Sequence, residues 1–111
     1  MNKVDLLDSL YDVRDQITRL IIYSTPTNDA ETQKLRALVQ KREQLSAFIA
    51  SVIQADLRAT AAQVSDACVQ LDAFTAKLRD LANTVEGVTT ALGIVSDVIG
   101  MVMTLVSLAA A

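Results

Sequence analysis

The N-terminal part of the chain repeats on a helical period. Leu6, Leu10, Val13, Ile17 and Leu20 recur at spacings of four and three, which draws a single apolar stripe along a helix. Asp5, Asp8, Asp12, Asp15 and Arg19 recur in the same way on the opposite side, with the acids early and the base late, as the helix dipole favours. The pattern predicts an amphipathic helix from about residue 3 to 23. The segment "STPTND", Ser24 to Asp29, then interrupts it. Pro26 cannot continue the helix, and Asn28 followed three residues later by Glu31 has the form of an N-cap with a capping box. So short a turn, about residues 24–28, makes the flanking helices antiparallel neighbours.

From Asp29 to Glu86 there is no Gly or Pro. The apolar register runs through Leu35, Leu38, Leu45 and Ile49, with Arg42 interrupting it. It then takes two steps of four, Ile49 to Ile53 to Leu57, the kind of stutter that locally unwinds a coiled coil. Beyond Leu57 the register continues through Thr60, Val64, Ala67, Leu71, Phe74, Leu78, Leu81 and Val85. The expectation is one long helix over about 29–86, roughly 87 Å at 1.5 Å per residue. A break near 56–60 is the alternative. A second joint is offered by "NTVEGVTT", Asn83 to Thr90. Gly87 could serve as a C′ glycine with Thr89 or Thr90 capping a final helix, or the helix could run straight on, because the register does not slip.

The last segment, "VTTALGIVSDVIGMVMTLVSLAAA", has one charged residue in twenty-four. On a helix over about 88–110 it separates into two lines. The hydrophobic seam is Val88, Leu92, Val95, Ile99, Val102 and Val106. Opposite it runs a strip of small and polar residues, Thr90, Gly93, Asp97, Gly100, Thr104 and Ser107, which traces back to Glu86 and Asn83. A polar strip about one residue wide implies a helix buried in protein or in lipid. The small residues would then face neighbouring helices or line a pore.

Magnitudes set these readings against each other. About 21 residues span the roughly 30 Å hydrocarbon core. Ten Leu, Ile and Val residues favour insertion by roughly 3 to 6 kcal/mol in total. Asp97, near the centre, opposes it by about 2.5 to 3.5 kcal/mol, and the glycines and hydroxyls oppose it further. Insertion of the isolated helix is near neutral. The balance suits a helix that inserts only when companions cover its strip, or one that stays in a soluble core.

Composition narrows the rest. Over 111 residues, 51% are hydrophobic but only 4% aromatic, so the apolar content is the Ala, Val, Leu and Ile of packed helices. Three Gly and one Pro supply too little turn chemistry for a many-stranded sheet. A net charge of −3 gives no general attraction to nucleic acid. The one basic cluster, Lys34, Arg36, Lys41 and Arg42, has no stacking aromatics beside it, and is either a solvated face or a contact for anionic lipid headgroups. The first residues, "MNKVDLLDSLYD", lack the basic n-region and apolar run of a classical signal peptide, so the expected location is cytoplasmic or membrane-associated.

There is no histidine, and no nucleophile elbow, phosphate-binding loop, dinucleotide fingerprint or zinc-protease motif. The carboxylate pairs Asp5/Asp8 and Asp12/Asp15 line a solvated face, and Cys68 beside seam residue Ala67 reads as a small hydrophobe without a base. Catalytic, metal-binding and cofactor-binding residues are therefore not expected, nor is a small-molecule substrate.

The expected fold is all-α: an elongated helical hairpin or bundle forming one domain over 1–111, with a long central helix, a strongly hydrophobic C-terminal helix and coiled-coil-like heptad packing. By type alone this architecture resembles helical pore-forming proteins and phage holins. It equally resembles small helical-hairpin subunits of filaments and secretion machines. No motif transfers a residue role from either group, and the basic tail common in holins is absent. The function expected is non-enzymatic self-association, with the C-terminal helix inserting conditionally into a bilayer to form a pore or lesion. The alternative is a soluble structural or adapter subunit with that helix buried in a homo-oligomer or against a helical protein partner.

Overall fold

The computed structural model describes residues 2–55, 59–81 and 85–110, the last five of these and Val85 by their backbone alone. The described residues form four helices: α1 (Lys3–Tyr23), α2 (Asp29–Gln54), α3 (Ala61–Arg79) and α4 (Val85–Ala110). Among the described residues there is no strand, and the fold is an all-α bundle. It measures 46 × 22 × 16 Å. The 26-residue helices α2 and α4, each about 39 Å long at 1.5 Å per residue, set the long dimension.

A continuous helix over 29–86 does not form. α2 stops at Gln54, and its C-cap Ala55 turns to extended backbone (φ −73°, ψ 142°). α3 starts with a full capping box: Gln63 N–H donates to Thr60 Oγ1 at 3.2 Å, and Thr60 N–H donates to Gln63 Oε1 at 2.9 Å. Thr60, which the apolar register places on the seam, is therefore a cap. A hydroxyl that satisfies one orphan N–H and receives a reciprocal partner competes well with helix continuation at a β-branched residue. The stutter goes unused as well. Ile53 is 47% exposed, Val52 takes the core position after Ile49, and Leu57 lies outside the described residues. The second joint falls earlier than Gly87. α3 ends at Arg79, and Gly87, Thr89 and Thr90 are internal residues of α4, so none of them stands at a helix end.

The helices form a ring. α1 packs on α2 and α3, α4 packs on α2 and α3, and the pairs α1/α4 and α2/α3 lie across the diagonals. Individual contacts fix directions. Lys3 Nζ at the start of α1 donates to Ala55 O at 2.6 Å and to Ile53 O at the end of α2, and Arg42 reaches Thr18 at 3.5 Å, so these helices are antiparallel. Ser9 faces Asp72 while Leu20 lies beside Leu78, so α1 and α3 run parallel. Lys34 Nζ donates to Thr89 Oγ1 at 3.0 Å, start to start, which makes α2 and α4 parallel. The α1 stripe Leu6, Leu10, Val13, Ile17 and Leu20 is wholly buried against Leu38, Leu45, Ile49, Val52, Val64, Leu71 and Leu78.

Both remaining described N-termini are capped. Asn2 and Asp5 form a capping box on α1. Asn28 accepts from Glu31 N–H at 2.9 Å, but the Glu31 carboxylate reaches one residue further than a capping box, to Thr27 N–H at 2.6 Å and to the Thr27 hydroxyl. Those two bonds hold the Glu31 carboxyl below its ordinary range, the hydroxyl contributing most.

Two outcomes follow from these caps. Thr60→Ala should destabilise the bundle by about 1 kcal/mol, read as a fall in melting temperature of about 4–8 °C for a domain of this size. An unchanged melting temperature would show that the box does not hold the α2–α3 break. Because the Glu31 pKa is depressed on folding, its contribution is full above the ordinary glutamate range and is lost as pH falls through the lower, folded value. Acidification should therefore loosen the first turn of α2, seen as faster exchange of the Thr27 amide, and Glu31→Gln should abolish that dependence.

Candidate functional site

α4 is the most apolar of the four helices in composition. Its segment Glu86–Leu105 has mean hydropathy 1.8, long and apolar enough to cross a membrane by composition. The bundle absorbs one side of it. Val88, Ala91, Ile94, Val95, Val98, Val102 and Leu105 are buried against α2 and α3. Of the expected seam, Val88, Val95 and Val102 are buried, whereas Leu92 and Ile99 are half-buried and the Val106 side chain lies outside the description. The buried face is thus rotated from the seam toward Ala91, Ile94, Val98 and Leu105. Of these, Ala91 is small and Ile94 and Val98 are β-branched, which suits close packing against two helices at once.

The opposite face points to water. Thr90, Gly93, Asp97, Gly100 and Thr104 are all exposed, and so are Glu86, Thr89, Ser96 and Met103. Ser107 lies among the undescribed side chains, and Asn83 outside the described residues. Within the single chain, then, one face of this helix stays uncovered. The line Thr89–Ser96–Met103 joins the strip and doubles its width, and a face two residues wide is enough for a surface helix of a bundle.

The chemistry of that face is quiet. Thr90 Oγ1 donates to Glu86 O at 2.9 Å, Ser96 Oγ to Leu92 O at 3.3 Å and Thr104 Oγ1 to Gly100 O at 3.1 Å. Each hydroxyl turns back on its own helix, which lowers the demand for outside partners. Asp97 is the only charge between Glu86 and the last residue, and its carboxylate stands in solvent. A Cβ added at Gly93 or Gly100 would meet nothing within 4 Å, so no packing inside the chain requires either glycine.

Other candidate groups do not assemble into a reactive centre. The basic cluster is divided: Lys34 and Arg42 tie α2 to Thr89 and Thr18, while Arg36 stands exposed and Lys41 half-buried. Asp5 is used in the α1 capping box, and Asp8, Asp12 and Asp15 are exposed. Cys68 is buried at 2% exposure, and burial pushes its thiol up, with Asp72 and Asp5 adding to the effect against a hydrogen bond from Ser9. A protonated, buried thiol is a poor nucleophile. Among the described residues no group of three or more Cys, Asp or Glu is placed to hold a metal ion. Comparison with protein-family models, curated proteins and solved structures finds no match for the chain.

The glycines give a direct measurement. An exposed mid-helix glycine is about 1 kcal/mol less favourable than alanine, and the added methyl groups meet open space. Gly93→Ala and Gly100→Ala should each raise the unfolding free energy by up to about 1 kcal/mol in urea titrations. A loss of stability in the protein as it exists in solution would mean that another chain packs on them.

Proposed function

We propose that this chain is a non-enzymatic helical module that associates through the exposed small-residue face of α4, with a second copy of the chain as the simplest partner. One observation carries the reading: α4 keeps Gly93 and Gly100 on its exposed face, where the bundle makes no use of them. Glycines on one helix face let another helix approach closely, and self-satisfied hydroxyls at Thr90, Ser96 and Thr104 allow that approach to exclude water cheaply. Catalysis, cofactors and nucleic acid have no part in it.

Conditional membrane insertion is the second reading, favoured by the length and hydropathy of Glu86–Leu105. The energetics weigh against it as the resting behaviour. Removing α4 from the ring would expose the facing side chains of α2 and α3, among them residues of the buried core cluster. At roughly 1.5–3 kcal/mol per large apolar side chain, uncovering several would cost on the order of 10 kcal/mol. Insertion of the helix itself is near neutral and does not offset that.

Molecular mass in solution, measured over a concentration series with and without liposomes, separates the readings. Association through the α4 face predicts a concentration-dependent oligomer in buffer that Gly93→Leu or Gly100→Leu disrupts without unfolding the bundle. Membrane insertion predicts dye leakage from the liposomes, enhanced in Asp97→Leu by the removal of about 3 kcal/mol of opposing transfer energy, with Asp97→Asn weakening cation preference. A monomer at every concentration that leaves liposomes intact sinks both.

A further inference from the structure

A cavity of about 220 Å³ opens at the end of the bundle where α1 and α3 finish side by side, lined by Gln16, Arg19, Leu20, Tyr23, Leu78, Arg79 and Leu81. It lies away from the α4 face. Its floor is apolar, since Leu20 and Leu78 are buried and Leu81 is half-buried. Its wall includes two arginines, Arg19 and Arg79, sixty positions apart in the chain. Only the parallel pairing of α1 and α3 brings them together.

Neither arginine is used up by the fold. Among the described residues, Arg19 has one partner, the Tyr23 ring, with its guanidinium carbon 6.0 Å from the centroid, and Arg79 has none. Helix capping does not employ them. Leu20 O accepts from Ser24 N–H at 3.0 Å and from Ser24 Oγ at 2.6 Å. Ala76 O accepts from Asp80 N–H, and Leu78 O from Leu81 N–H, both at 3.2 Å. The carbonyls of Leu20, Ala76 and Leu78 in these last turns are thus met by the chain's own donors. Asp15 and Asp80, the nearest acids in sequence, engage neither guanidinium.

We infer that this cavity binds a small organic monoanion, a carboxylate attached to a compact apolar body. The planar donor forks of Arg19 and Arg79 match the two oxygens of a carboxylate. Leu20, Leu78, Leu81 and the Tyr23 ring receive the apolar part. Single charge is favoured over multiple charge because the site sits at two helix C-termini, whose dipoles oppose added negative charge. The volume lies below the roughly 300–1,000 Å³ of sites for drug-sized ligands, so the body is small. The spacing of the two arginines gives no sign of this in the sequence, since each alone reads as an ordinary surface base.

Benzoate titrated into the full chain and followed by NMR tests the site, with benzamide as the neutral isostere and acetate as the anion without a body. Saturable shifts are expected at the Tyr23 ring and at the Leu20 and Leu78 methyl groups, with benzamide and acetate each weaker by about tenfold or more. Arg19→Ala and Arg79→Ala should each weaken benzoate about ten- to hundredfold. Arg79→Lys, which keeps the charge but loses the fork, should fall between. Both arginines are exposed, and unchanged circular dichroism melts will show that the variants fold. No saturable shift in the wild-type chain, equal binding of benzamide, or benzoate binding that survives either alanine substitution would overturn the assignment.

Discussion

The structure depends on giving the valine face of α4 somewhere to go. Val88, Val95, Val98 and Val102, with Ala91 between them, would be an aggregation-prone surface on a free helix, and they are covered because α2 and α3 both lie against them. That coverage needs two separate helices. A single rod over 29–86 could offer α4 only one side, and α1, at 21 residues, would reach little of its length. Breaking the rod at residues 55–60 folds it into two helices set across a diagonal, each touching both α1 and α4. The Thr60–Gln63 box is worth about 1 kcal/mol as a local interaction, yet it marks the place where a rod becomes a ring.

The ring brings an electrostatic constraint with it. Two of its four contacts, α1 with α3 and α2 with α4, are parallel, so like dipole ends sit together at both ends of the bundle. The antiparallel contacts offset this in part, and side chains deal with what remains. Lys3 donates to the carbonyls of Ile53 and Ala55 at the end of α2, a helix with no basic residue in its own last turn. Asp5 and Glu31 place carboxylates at the starts of α1 and α2, and Lys77 and Arg79 place cations at the end of α3. Some of the charges that look scattered along the sequence thus come to stand at helix ends once the helices are in place.

The stripes of α1 and α3 were legible because amphipathic periodicity is set by burial, and burial decides their packing. Leu6 through Leu20 and Val64, Ala67, Leu71 and Leu78 are core residues at the spacings that the pattern shows. The break between α2 and α3 was not legible from periodicity, since Thr60 happens to fall on the seam and a β-branched residue there passes for apolar. Its T-x-x-Q spacing to Gln63 was the signal, and it carries information only when hydrogen bonding is weighed above hydropathy. The width of the exposed α4 face was not legible for a related reason. Thr89, Ser96 and Met103 are neither charged nor strongly apolar, so their common line beside the strip is visible only when exposure is known. Arg19 and Arg79 could not be connected at all, because nothing local links two bases sixty residues apart.

One feature of α4 still has no use within the ring. Two exposed glycines weaken a helix by roughly 2 kcal/mol relative to alanine, a sizeable fraction of the 5–15 kcal/mol that stabilises an ordinary domain. Turn geometry does not explain them, since no left-handed backbone occurs among the described residues. Close packing within the chain does not explain them either, since each faces open space. Asp97 lies between them on the same face, and it opposes both burial in lipid and burial against another apolar helix unless it keeps a polar partner. A face that is sterically open and carries one carboxylate at its middle suits a partner helix that brings a donor to that position. Arg36 and Lys41 on α2 are the exposed or half-exposed donors that a second copy of this chain would have available. For the association proposed above, docking of α4 on α2 of a second copy is therefore better matched to the distribution of charge than packing of α4 against α4, which would set Asp97 against Asp97.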